Sequence, residues 1–222
     1  MIQNYIIIVL ISYILGSIPF ALVINKLFFK QDLRSVGSKN IGALNTLRVA
    51  SKEKGKKIGL IAFASVFLLD VSKAILSIMI AQTLVKDSVL AITLATLFVI
   101  LGHNYSLFLK FKGGRGAASF LGILLYLDWK AFIGWIVLVL FFMILFELFA
   151  KRKINKKFLK HAISDQVLGR LFGETFALFW LYIYNTILFF PALVATPLIL
   201  IAHKDRLEEQ FKKIKNKTYL ND

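Results

Sequence analysis

Two clusters of small and amide residues stand out for the chemistry they permit. The first runs Gly37-Ser38-Lys39-Asn40-Ile41-Gly42-Ala43-Leu44-Asn45, with Arg48 just beyond; the second is Lys112-Gly113-Gly114-Arg115-Gly116. Residues without bulky side chains let successive backbone N–H groups turn toward an anion, and Arg48, Lys112 and Arg115 add positive charge beside them. That combination suits a phosphate. A plain turn would use glycine and asparagine only for positive φ, and it needs perhaps two such residues. Gly37, Ser38, Asn40, Gly42 and Asn45 fall within nine positions, which favours a binding role. In the second cluster, a short turn explains the Lys and Arg but not Gly113, Gly114 and Gly116 together.

Other groups are sparse. His103 follows Gly102 in an apolar run just before the second cluster; alone, such a histidine is more often a satisfied buried side chain than a catalyst. Asp70 and Lys73 are spaced i, i+3 in another apolar run, where a mutually neutralising pair is the simplest reading. Glu147 falls near the end of a later run and can snorkel toward basic residues. No G-x-x-x-x-G-K-[ST] loop and no G-x-S-x-G elbow occurs. A His-x-x-x-x-Asp pair is also missing, since Phe108, Gln166 and Glu208 stand five residues beyond His103, His161 and His203. With no cysteine and three scattered histidines, thiolate catalysis is excluded and no metal site or cofactor is expected.

These residues must be held by membrane helices. The 222-residue chain is 58% hydrophobic, with a mean hydropathy of +0.74, and its apolar runs at about 4–25, 58–81 and 88–109 each reach the ~20 residues that cross a bilayer. The first 25 residues are uncharged, so this stretch is read as a retained helix and not as a signal peptide. Pro19 should kink it, with Ser17 satisfying backbone groups that the kink frees. The stretch 116–149 breaks at Asp128-Trp129-Lys130 into a short helix and a full-length one, and 167–202 folds most simply as two short helices meeting near Asn185 or Pro191. The sum is an all-α polytopic membrane protein of about seven spans, or five if the short segments are re-entrant.

The net charge of +16 is distributed between the spans, which argues for membrane topology and against nucleic acid as a partner. Segments 26–57, 109–115, 150–166 and 203–222 hold 24 of the 28 Lys and Arg, so all four are expected in the cytoplasm, with the N-terminus outside and the C-terminus inside. The tail from His203 places Leu207, Phe211 and Ile214 on one face of a surface helix against anionic lipid. One domain, 1–222, is expected, without repeats.

Tyr13-Ile14-Leu15-Gly16-Ser17-Ile18-Pro19, Asp32-Leu33-Arg34 with Gly37 through Arg48, and Gly102-His103 with Phe111 through Gly116 together resemble the bacterial acyl-phosphate:glycerol-3-phosphate acyltransferase family. Motif order, spacing and membrane context agree over residues 13–125. The resemblance implies a multi-pass inner-membrane enzyme with a cytoplasm-facing site, moving an acyl group from acyl phosphate to the sn-1 hydroxyl of glycerol 3-phosphate to give lysophosphatidic acid. A monomer working within membrane lipid is expected. The family's first loop reads Gly-Ser-Gly-Asn-x-Gly-Ala-Thr-Asn and then arginine, so Ser38, Asn40, Gly42, Asn45 and Arg48 carry over as phosphate and substrate contacts. Lys39 and Leu44 depart from that pattern. The second loop reads Gly-Gly-Lys-Gly in the family; Lys112, Gly113, Gly114 and Gly116 carry over as binding residues, and Arg115 stands for the lysine as a catalytic cation. The third motif, His-Arg-x-Asn-Ile, corresponds to His203-Lys204-Asp205-Arg206-Leu207, with Arg206 in place of asparagine; Ser164 lies where the family has a serine. His203 and His103 are the candidate proton acceptors, and the substrate's own phosphate is the third. A non-catalytic diverged homologue, or a transporter of an anionic lipid metabolite, is the alternative; a transporter should show repeated halves and paired broken helices, and neither is evident.

Overall fold

The computed structural model describes residues 1–153, 167–204 and 208, and among them every regular element is helical. His161, Ser164, the Asp205–Leu207 part of the third motif, and the surface helix through Phe211 and Ile214 lie outside the described residues, as does the Glu147 side chain.

Helix contacts divide the chain after Leu127. In the first unit, α1 (Ile2–Ser17) and α2 (Phe20–Phe29) form one bent span; α3 (Ala43–Lys54) precedes the long α4 (Lys56–Leu84); α5 (Val89–Asn104) ends in a 3-10 turn at Leu107–Leu109; and α6 (Ala117–Leu127) closes the unit. In the second unit come α7 (Trp129–Lys153), α8 (Val167–Tyr184) and α9 (Thr186–Ile201). The spans Ile2–Phe29, Lys56–Leu84 and Val89–Leu109 are long and apolar enough to cross a membrane, as the hydropathy predicts.

The helix faces are arranged for lipid. On α1, Ile6, Leu10 and Ile14 are exposed, whereas Ile8, Ser12 and Gly16 are buried. Large apolar residues cover the outer face, while the inner face sets the small or polar Ser12 and Gly16 beside Ile8, an arrangement usual where helices associate without water. Ser77 Oγ on α4 donates to Ser12 Oγ at 2.8 Å. At the crossing of α1 and α5, a Cβ on Gly16 would enter the Val99 carbonyl and one on Gly102 the Tyr13 carbonyl, so the two backbones touch because both positions lack side chains.

The breaks occur where local chemistry favours them. Ile18 is extended and Pro19 caps α2, which bends the first span at the expected residue, and Ser17 Oγ donates to the Tyr13 carbonyl at 2.8 Å. Asp128 Oδ1 accepts from the N–H groups of Lys130 and Ala131, and Asn185 Oδ1 accepts from those of Ile187 and Leu188, so each side chain starts the following helix. One element differs from expectation. Segment 26–57 is not only a loop, because α3 occupies its second half and ends at Gly55, whose φ of +86° separates α3 from α4.

Candidate active site

Both glycine-rich clusters end at helix N-termini. Gly42 caps α3, and Gly116, with φ +75°, immediately precedes α6. The first N–H groups of a helix lack intrahelical partners and lie at the positive end of its dipole, so each loop delivers unpaired donors where an anion can use them. Arg48 is exposed on the second turn of α3, and Arg115 is half-buried between Gly114 and Gly116.

The first loop is shaped from inside by Asn45. Its Oδ1 accepts from the Ser38 N–H at 2.8 Å, while its Nδ2 donates to the carbonyls of Asn40 at 3.0 Å and Val36 at 3.1 Å. Fully buried, Asn45 therefore spends its amide on the loop itself, and its part is to fix the backbone that Ser38, Asn40 and Gly42 present. Gly37, at φ +61°, leaves room for that amide, since a Cβ there would overlap Asn45 Oδ1. Lys39 has φ +58°, a left-handed position that glycine would take without strain. Asn25 on α2 donates to Thr46 Oγ1 at 2.8 Å, which ties α3 to the first span. At the loop entrance Arg34 grips Asp32 through Nε and Nη2, and Lys26 lies 3.5 Å away. Hydrogen bonds from the Arg34 side chain, then from its backbone N–H, hold the Asp32 carboxyl well below the usual carboxylate range.

The second loop lies directly on His103. The Gly114 N–H donates to the His103 carbonyl at 2.9 Å, a Cβ on Gly113 would enter that same carbonyl, and one on Gly114 would overlap His103 Nε2 and come within 2.5 Å of the Ile41 carbonyl of the first loop. The glycines at 113 and 114 thus serve close packing, and Gly114 is where the two loops meet.

Beneath this contact lies a polar group inside the helices. Lys73 Nζ is 2.8 Å from Asp70 Oδ1, and His103 Nδ1 lies 3.6 Å from the same oxygen; all three residues are at most 9% exposed. Lys73 also donates to the Ile18 carbonyl, at the break between α1 and α2. Asp70, Lys73, His103, Gly113, Gly114 and Ile41 line one small pocket with Ser17 and Ser106. The expected Asp70–Lys73 pair is present. Sequence reasoning missed its meeting with His103, because contacts between residues on different helices leave no mark in local spacing.

In the second unit His203 is 3% exposed, just after α9. Its Nδ1 lies 2.7 Å from the Ile199 carbonyl and its Nε2 lies 2.8 Å from Arg170 Nη1. A carbonyl only accepts and a guanidinium only donates, so this network assigns the proton to Nδ1 and occupies the Nε2 lone pair. These two contacts fix the orientation of the ring. Among the described residues, no group of three His, Cys, Asp or Glu could hold a metal.

The family model described as glycerol-3-phosphate acyltransferase matches residues 6–213. A glycerol-3-phosphate acyltransferase of Pelagibacter ubique is 41% identical over 122 residues, covering 55% of this chain and 58% of that protein; one of Ehrlichia ruminantium is 31% identical over 215 residues, 97% of each. The match thus spans little more than half the length of the Pelagibacter relative. The crystal structure of PlsY (YgiH), an integral membrane glycerol 3-phosphate acyltransferase, in its glycerol 3-phosphate form superposes with a TM-score of 0.69 at 28% identity, covering 94% of this chain and 92% of that one. Its lysophosphatidic acid form gives a TM-score of 0.66 at 27% identity.

Proposed function

This chain belongs to the glycerol-3-phosphate acyltransferase family, and from that premise we propose that it transfers an acyl group from acyl phosphate to the sn-1 hydroxyl of glycerol 3-phosphate, forming lysophosphatidic acid and inorganic phosphate. The relatives carry the acceptor in their names, and the PlsY neighbours were captured with glycerol 3-phosphate and with lysophosphatidic acid. The observation that carries the reading is the pocket in which Ile41 of the first loop and Gly113 and Gly114 of the second lie over Asp70, Lys73 and His103.

Arg48, with Ser38, Asn40 and the Gly42 backbone, holds one phosphate group; Arg115 and Lys112, with the backbone at Gly113 and Gly116, hold the other through charge-assisted hydrogen bonds, while Gly114 keeps the loop seated on His103. An acyl phosphate brings its own leaving group, so fixing the hydroxyl against the carbonyl carbon supplies much of the acceleration. The hydroxyl oxygen bonds to that carbon, the bond from carbon to the phosphate oxygen breaks, and the departing phosphate takes the hydroxyl proton. His103 is the alternative acceptor within reach of the second loop. The spans are α1–α2 together and then α4 through α9, seven in all, in the cytoplasmic membrane of a bacterium, with both loops on the cytoplasmic side and the protein working as a monomer.

The test is direct. Purified protein in detergent, given glycerol 3-phosphate and either palmitoyl phosphate or palmitoyl-CoA, should form lysophosphatidic acid only with the phosphate donor. Product from the CoA donor alone would overturn the donor assignment, and none from either would overturn the activity.

A further inference from the structure

Lys73 is an ammonium group 5% exposed in the middle of a membrane-length helix. A buried ion pair rarely adds stability over apolar residues of similar size, so its presence calls for a use. Lys73 offers three N–H donors. Asp70 Oδ1 takes one at 2.8 Å and the Ile18 carbonyl takes another at 3.1 Å, while the Phe20 ring lies 5.7 Å from the ammonium. Among the described residues Lys73 makes no third hydrogen bond, yet it lines the pocket beneath Gly113 and Gly114.

The charge balance selects the ligand group. Lys73 and Asp70 together carry no net charge, so the pair offers little to a phosphate dianion, which Asp70 would repel. A neutral carbonyl oxygen accepts the free N–H readily, and gains most from it when negative charge develops there. The Asp70 carboxylate and the Ile18 carbonyl fix the ammonium in advance, so no reorganisation is required as the charge appears.

We infer that Lys73 is a catalytic residue of the acyl-transfer site, donating its third N–H to the acyl carbonyl oxygen and stabilising the oxyanion, with Asp70 as its positioning residue. This rests on the acyltransferase reading. As the hydroxyl oxygen of glycerol 3-phosphate bonds to the carbonyl carbon, the carbonyl π pair moves onto oxygen beside Lys73. When it returns, the bond to phosphate breaks and phosphate leaves with the hydroxyl proton.

The experiment uses the full-length protein carrying Asp70→Asn with Lys73→Met, which avoids leaving an unpaired buried charge. Folding is checked by monodisperse elution and by thermal unfolding in detergent. With palmitoyl phosphate and glycerol 3-phosphate, kcat should fall about 100-fold to 1,000-fold, the effect of losing one oxyanion donor, while both KM values stay within about threefold. Unchanged kcat in the folded variant would assign the pair a structural role and overturn the inference. So would a raised KM for palmitoyl phosphate at constant kcat, which would mean ground-state binding. Should the Met variant fail to fold, Asp70→Asn with Lys73→Gln retains polar partners, and kcat reduced about 10-fold to 100-fold supports the role, whereas full kcat overturns it. Wild-type protein making no product in the same assay would instead sink the parent reading.

Discussion

Arg170 on α8 donates a hydrogen bond to the Nε2 atom of His203, 33 residues later and just past the end of α9. The histidine's other nitrogen is engaged by the Ile199 carbonyl, so the ring is held at both ends. Hydrogen bonds involving a charged group contribute about 1.5–3 kcal/mol. A double-mutant cycle with Arg170→Met and His203→Phe should therefore give a coupling energy of about 1.5–3 kcal/mol in detergent unfolding, and a coupling below about 0.5 kcal/mol would count against the pairing.

Gly114 and Gly42 should respond differently to the same small change. Alanine at 114 would push its methyl into His103 Nε2 and the Ile41 carbonyl, displacing both loops at once. At Gly42 the nearest obstacle is the end of the Asn40 side chain at 3.2 Å, and φ is extended. Gly114→Ala is expected to lower acyl transfer at least about 100-fold and stability by about 1–3 kcal/mol, and Gly42→Ala to lower stability by less than about 1 kcal/mol. Steady-state rates and unfolding midpoints of the two purified variants decide it.

Lys39→Gly should stabilise the protein. The left-handed conformation costs an L-residue about 1–2 kcal/mol, and glycine escapes that cost while losing some of the gain to a freer unfolded chain. A net gain of about 0.5–1 kcal/mol is expected, seen as a raised melting temperature. Lys39→Val, β-branched at the same φ, should lower it.

Asp32 gives the first loop a pH signature. Because Arg34 lowers its folded-state pKa, its contribution is fully present above the ordinary carboxylate value of about 3.9 and fades as pH falls toward the lowered one. The pair is largely exposed, so the contribution should be below about 1 kcal/mol and weaken with salt. Asp32→Asn is expected to shift the melting temperature modestly at pH 7 and to lose that difference under strong acid. An equal difference under strong acid would contradict the assignment.

Much of this fold could be read from the chain because its signals are local. Pro19 lacks the N–H that would continue the helix before it, Asp128 and Asn185 start helices with their own side chains, and the runs in α4 and α5 are long enough to cross a bilayer. α3 was hidden because it is polar and lies inside a lysine-rich segment, where its sequence resembles a loop. For the site, the two glycine clusters were recognisable by composition and spacing. That Gly114 packs on His103, and that His103 approaches Asp70, depends on how α4, α5 and the second loop meet, which no residue encodes alone. His203 was found by motif, but its engaged nitrogens follow from Arg170, a residue the motifs do not include.

The Ser17 carbonyl, beside the Pro19 bend, accepts its hydrogen bond from Ser106 Oγ at 2.6 Å, across 89 residues of sequence. During synthesis the ribosome delivers residue 17 to the membrane long before residue 106 exists. Until then the first span lacks this bond, and the carbonyl gains its final partner only with the end of the third span. A bend that looks like a local consequence of one proline is thus completed by a residue from the far end of the same unit.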